Sequence, residues 1–226
     1  RTRLKFFSNQ LLMNQVGGEH RFDRLKDFSI NWLYTNATAN RDEPNTRDYR
    51  FDSNRLTGNY FFSQRADSNQ VMYADLTDKD QSWRVDGKLP WQLSGNHKIT
   101  LNSGFITQTK TRDSNIQRFN YFRFGPDASR ESIIGQSSLE SILQPQYIGT
   151  NGFQLRDVAR PSDKYNASQN LLSYYGKVDW LLYDRVSLTG GVRWEDNDQK
   201  VNTVSLNNKP TTARLNRVDM LPSATA

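Results

Sequence analysis

Hydrophobic and polar residues alternate with a period of two along residues 171–195, LLSYYGKVDWLLYDRVSLTGGVRWE, in two runs joined by the polar break Tyr183-Asp184-Arg185. Leu172, Tyr174, Gly176, Val178, Trp180 and Leu182 share one face of the first run, and Ser173, Tyr175, Lys177, Asp179 and Leu181 the other. After the break Val186, Leu188, Gly190, Val192 and Trp194 resume the first face, opposed by Ser187, Thr189, Arg193 and Glu195. The pattern predicts an antiparallel hairpin pairing 171–182 with 186–195. Each run covers about 10 to 12 residues, has aromatics at its ends and keeps its charges to one side, the dimensions of a tilted strand crossing a bilayer.

The same alternation recurs at Phe28, Ile30, Trp32 and Tyr34, at Trp83, Val85, Gly87 and Leu89, and at Ile99, Leu101, Ser103, Phe105 and Thr107. Residues 217–226 read as the start of a further strand. Short connections are expected at 21–26, 90–98 and 183–185, and long ones at 36–81, 113–170 and 196–216. Some residues of the long connections, 55–64 and 117–124 among them, are expected to extend the strands, and 132–143 has near-helical spacing of Ile133, Ile134, Leu139, Ile142 and Leu143. Short turns alternating with long loops predict an all-β, antiparallel up-and-down transmembrane barrel, of which this chain is a partial fragment with two unpaired edges and room for about ten strands at most.

Composition agrees. The chain is 35% hydrophobic and 12% aromatic, and its longest apolar runs, about four residues, are far short of the ~20 a membrane-spanning helix needs. A barrel strand shows only every second residue to lipid, which suits a low mean hydropathy of −0.83. The net charge of +6 is scattered among acids rather than gathered in a basic block, so nucleic acid is not an expected partner. With no cysteine there is neither a disulfide framework nor a thiolate metal site.

Three further stretches carry a resemblance when added to the 174–195 hairpin: YNASQN at 165–170, DMLPSATA at 219–226, and GEHRF at 18–22 followed by a strand and RDEP at 41–44. Together with the turn LPWQLSGNHKITLNSGF at 89–105, their order resembles the barrel of a TonB-dependent outer-membrane receptor across nearly all of residues 1–226. The resemblance implies a 22-stranded barrel around a plug domain, in the outer membrane of a Gram-negative bacterium. Its implied partners are outer-membrane lipid, the TonB energy-transducing complex acting through a plug not recognisable here, and a scarce small-molecule ligand. A ferric siderophore is the first expectation for that ligand, with cobalamin or a glycan next.

No catalytic centre or cofactor is expected: GxSxG, GxxxxGK[ST] and HExxH are all missing, and His20 and His97 each stand alone beside a turn. The acids at 75–80 and 195–198 lack the glycine and terminal glutamate of a calcium loop and read as solvated loop acids. Trp83, Trp91, Trp180, Tyr183 and Trp194 read either as membrane-interface aromatics or as the packing of a soluble sheet, and their places beside turns and strand ends favour the interface. Arg118, Tyr121 and Arg123 beside the longest connection are the ligand candidates, guanidinium groups there being suited to an anion; the alternative is ordinary rim residues. A passive porin-type segment, a soluble β-sandwich binding module and a secreted β-rich glycan hydrolase are the rival readings.

Overall fold

The structure, a computed structural model, describes all residues of the chain except Ala66, Ser94, Gln136 and Ser137. Its strands are β1 (Thr2–Leu4), β2 (Ser8–Phe22), β3 (Phe28–Tyr49), β4 (Phe51–Ser53), β5 (Tyr60–Phe62), β6 (Gln70–Gln92), β7 (His97–Arg123), β8 (Phe153–Asp157), β9 (Lys164–Leu182), β10 (Val186–Val204) and β11 (Pro210–Thr225). β1 and β2 lie end to end along β3, and the large sheet continues through β6, β7, β9 and β10 to β11, every pairing antiparallel. Sequence neighbours are thus spatial neighbours, and the β1/β2 and β11 edges are not joined. The fold is all-β and up-and-down, of β-barrel type, and open within this chain. Among the described residues no helix is long and apolar enough to cross a membrane.

The expected hairpin forms, with Trp194 opposite Tyr174, Gly190 opposite Val178 and Val186 opposite Leu182. Tyr183 and Asp184 turn the chain with left-handed φ values of 52° and 54°, and Lys26 and Asp27 do the same between β2 and β3. The register carries the alternation from strand to strand. Trp32, Val85, Phe105, Tyr174, Trp194 and Met220 form one row of the apolar face, and Asp86, Gly104, Tyr175 and Arg193 lie in a row of the polar face.

Exposure on the two faces is the reverse of a water-soluble sheet's. On β9, Val178 is 42% exposed and Trp180 38%, whereas polar Ser173 is 1% exposed. The polar face is shielded because its side chains bond one another. Tyr175 Oη donates to Asp86 (2.5 Å), which also takes Arg84 Nε (2.6 Å), while Asp179 accepts from Thr189 (2.7 Å) and Asn102 (2.8 Å), and Arg193 Nε donates to Ser173 (2.8 Å). Gly104, between Asp86 and Tyr175 in the ladder, makes the first of these contacts sterically possible. A Cβ there would stand 2.6 Å from the Val85 carbonyl oxygen, 2.7 Å from the Tyr175 ring and 2.8 Å from Asp86 Oδ1.

The long connections are shorter than the sequence reading gives. β3 and β6 continue to Tyr49 and from Gln70, β7 and β9 to Arg123 and from Lys164, and β10 and β11 to Val204 and from Pro210. The true connections are 50–69, 124–163 and 205–209, so 196–216 is chiefly ladder, and 217–226 falls in the later part of β11 rather than beginning a strand. Both faces are polar beyond the aromatic row, so hydropathy loses its period while the backbone ladder continues. Residues 117–123 do extend β7, but 55–64 belongs to a separate β4–β5 hairpin. The 132–143 segment holds two one-turn helices, α1 (Glu131–Ile134) and α2 (Leu139–Ile142), and its residues 136 and 137 lie outside the described ones. Pro44 sits where the β3–β6 register slips between Glu43 and Thr46, a bulge that suits a residue with no N–H to give.

Gly104→Ala is expected to expel the Tyr175 ring and lower stability by about 1.5 to 3 kcal/mol, the range for a hydrogen bond to a charged group. Thermal unfolding in detergent, with Tyr175→Phe as the variant losing the bond alone, measures it, and an unchanged Tm for Gly104→Ala would refute it.

Candidate functional site: the assembly at the long-connection end

The buried apolar cluster lies at one end of the large sheet, where Tyr49 of β3 and Phe153 of β8, a strand paired to β7, contribute to it. Tyr49, Phe62, Ala128, Ile133, Ile134, Ile142 and Phe153 form it at the end of the long connections. Phe62 meets Phe51 and Phe153 edge-on, with ring centroids 5.8 and 5.7 Å apart. Burying these side chains folds 124–163 onto the β4–β5 hairpin, whose turn uses Gly58 at a φ of +71°. Between the two lies a cavity of about 1060 Å³, lined by Phe51, Tyr60, Phe61, Asn54, Gln64 and Arg123 among others.

The ladder separates the three ligand candidates. β7 pairs with β6 without a slip from Asn120 to Lys98, so Tyr121 and Arg123 lie on the same face of the strand as Phe105, and Arg118 on the opposite one. Arg118 is committed: its Nε donates to Asp163 (2.8 Å), which is 7% exposed and also accepts from the Arg160 backbone N–H (2.8 Å). Tyr121 packs against the buried cluster. Arg123 enters the cavity wall, and its Nε and Nη2 are buried with no hydrogen-bond partner. Burial pulls it down to about 10, against a smaller opposing effect of Asp52, so it is a cation at neutral pH.

Asp52 holds the hairpin. It accepts from Ser63 Oγ (2.7 Å) and Arg50 Nε (3.0 Å), and Arg65 lies 3.9 Å away. The Ser63 hydrogen bond, outweighing the opposing burial, and then Arg50 and Arg65, keep its carboxyl below the ordinary carboxylate range. A second recess, of about 550 Å³ on the polar face, is lined by Asp78, Asp80, Lys110, Arg112, Gln169 and Gln199 among others. Four of its charges pair with one another: Arg112 is bidentate to Asp78 (2.6 and 2.8 Å), and Asp80 accepts twice from Gln108, with Lys110 3.6 Å away. The 75–80 and 195–198 acids therefore stand on β6 and β10, not in loops, and alternate between faces.

The five aromatic candidates occupy two levels of the apolar face. Trp83 contacts Tyr34 (centroids 4.7 Å apart) and Trp194 contacts Tyr174 (5.9 Å). Eight residues along β6, about 26 Å of strand, Trp91 carries Lys26 Nζ 3.3 Å from its ring centroid. Trp180 and Tyr183 lie at that same short-turn level, where both contact His97, Tyr183 at 4.6 Å. His20 accepts from Trp32 Nε1 at 3.2 Å.

No protein-family model and no curated protein matches this sequence. Among solved structures, the chain is similar to the siderophore receptor PiuA from Acinetobacter baumannii, with a TM-score of 0.61 and 14% identity over 97% of this chain. It spans about 30% of that receptor's length. At this identity the likeness shows the fold.

The hairpin half of the cavity was not among the expected elements, although the TGN turn at 57–59 between FDS and YFF is a hairpin signal. Removing the Asp163 carboxylate by Asp163→Ala should weaken the junction of 124–163 with β9 by about 1.5 to 3 kcal/mol, seen as faster hydrogen exchange at residues 158–164. Asp52, held low in the fold, contributes stability at neutral pH that is lost as pH falls through and below the ordinary carboxylate value of about 4. Pepsin cleavage within 50–64 should therefore rise between pH 5 and 3 relative to cleavage elsewhere, and Asp52→Asn should be cut readily at pH 5 already.

Proposed function

We propose that this chain forms part of the wall and outer rim of a TonB-dependent outer-membrane receptor that takes up a scarce nutrient, a ferric siderophore first among the candidates, and that it performs no catalysis. The observation that carries the reading is the reversed pair of faces: an apolar face left bare, and a polar face whose side chains satisfy one another. A bare Val, Leu and Trp surface is costly in water and stable in lipid. The two aromatic levels, about 26 Å apart along the strand and about 20 Å in height at a 40° tilt, suit the girdles of an outer-membrane barrel. Trp83 and Trp194 would then sit at one interface, and Trp91, Trp180 and Tyr183 at the other. A soluble sandwich would need a second sheet over the apolar face, and the described residues place none there. The likeness to a siderophore receptor and the cavity in the loop assembly favour a receptor over a plain pore.

Val178→Arg on the apolar face should cost about 2 to 4 kcal/mol near the bilayer midplane and reduce insertion, whereas Lys177→Gln on the polar face should be tolerated. Heat-modifiability of the whole protein in outer membranes reads both, and equal tolerance would count against the membrane assignment. Deleting 125–160, which leaves β7 and β9 whole, should abolish uptake of radiolabelled ferric siderophore by cells while the barrel stays inserted. Undiminished uptake would show that the assembly is only scaffold, and uptake that survives collapse of the inner-membrane proton gradient would identify a passive pore.

A further inference from the structure

Most of the arginines in the long-strand ladder have a carboxylate partner at ion-pair distance, as Arg84, Arg112, Arg118, Arg193, Arg214 and Arg217 do. Arg123 differs. It is half-buried, two of its guanidinium nitrogens are shut off from water without an acceptor, and its side chain lines the 1060 Å³ cavity. A desolvated cation with unused donors is unfavourable until an anion supplies the missing acceptors. The guanidinium fork matches a carboxylate or phosphate in two-point fashion. The other lining residues suit the rest of such a ligand, since Phe51, Tyr60 and Phe61 offer apolar surface, and Asn54 and Gln64 offer amide hydrogen bonds. One carboxylate, Glu131, shares the lining, and no ion pair joins it to Arg123.

We infer that Arg123 is the anion-holding group of a ligand site between the β4–β5 hairpin and residues 124–135, taking a small molecule that bears a carboxylate or phosphate on an apolar body. The site lies on the opposite face of β7 from Arg118 and apart from the polar-face recess, where Arg112 is already paired with Asp78 and Lys110 with Asp80. This rests on the receptor reading for its biological use, while the anion chemistry stands on Arg123 and the cavity.

The test is phenylglyoxal labelling of the whole protein in native outer membranes, with peptide mapping of each arginine and with citrate and inorganic phosphate as probes. Exposed Arg185, in the short turn at the other end, is the reference. Millimolar citrate or phosphate should slow labelling of Arg123 at least threefold and leave Arg185 unchanged, with sodium chloride of equal ionic strength giving no protection. Binding of radiolabelled citrate should be lost in Arg123→Met and partly retained in Arg123→Lys, with both variants still heat-modifiable, and Glu131→Gln should bind at least as well as the parent. Absence of protection by either probe, or equal protection of Arg185, overturns the inference. Protection of Arg123 in a protein whose uptake survives deletion of 125–160 would leave the anion site standing and remove the receptor reading; loss of uptake without protection would do the reverse.

Discussion

Backbone hydrogen bonding is the constraint on which this architecture rests. A peptide N–H or C=O left without a partner away from water is costly, and an antiparallel ladder provides partners along the whole length of each strand. From β3 to β10 the strands pair over 18 to 23 residues per interface. Length in the ladder leaves side chains free to differ between faces, because neither face is needed to hold the sheet together. One face can therefore be bare and apolar while the other is a hydrogen-bonded polar surface around Asp86, Asp179 and Arg193.

The apolar cluster of Tyr49, Phe62, Ile133, Ile142 and Phe153 has a different task. It draws two distant connections together and thereby shapes a cavity that neither has alone. Within a single chain, the wall is held by main-chain bonds and the rim by side-chain burial, so the rim can vary in sequence without disturbing the wall.

The sequence showed the wall where the two faces differ in hydropathy. The 171–195 hairpin reads plainly because Val178 and Trp180 alternate with Lys177 and Asp179. Further along, Asn36, Gln81, Thr109 and Asn170 occupy one face and Asp80, Lys110, Gln169 and Gln199 the other, and with polar residues on both sides the period vanishes although the strands run on. Pro44 looked like a chain breaker and proved to sit in a bulge. The opposite orientations of Arg118 and Arg123 were implicit in their odd spacing once β7 was known to be one unbroken strand. The cavity was not legible, since 50–64 and 124–135 meet through tertiary packing that leaves no local pattern.

The length of β7 sets a distance as well as a register. Arg123 lies eighteen residues beyond Phe105 on the same strand, about 60 Å of extended chain and still some 45 Å of height at a 40° tilt. Electrostatic fields in physiological salt fade over about 8 Å. If Phe105 marks the lipid, the guanidinium stands several screening lengths above the headgroups, so a negatively charged solute would reach it without feeling repulsion from an anionic bilayer surface.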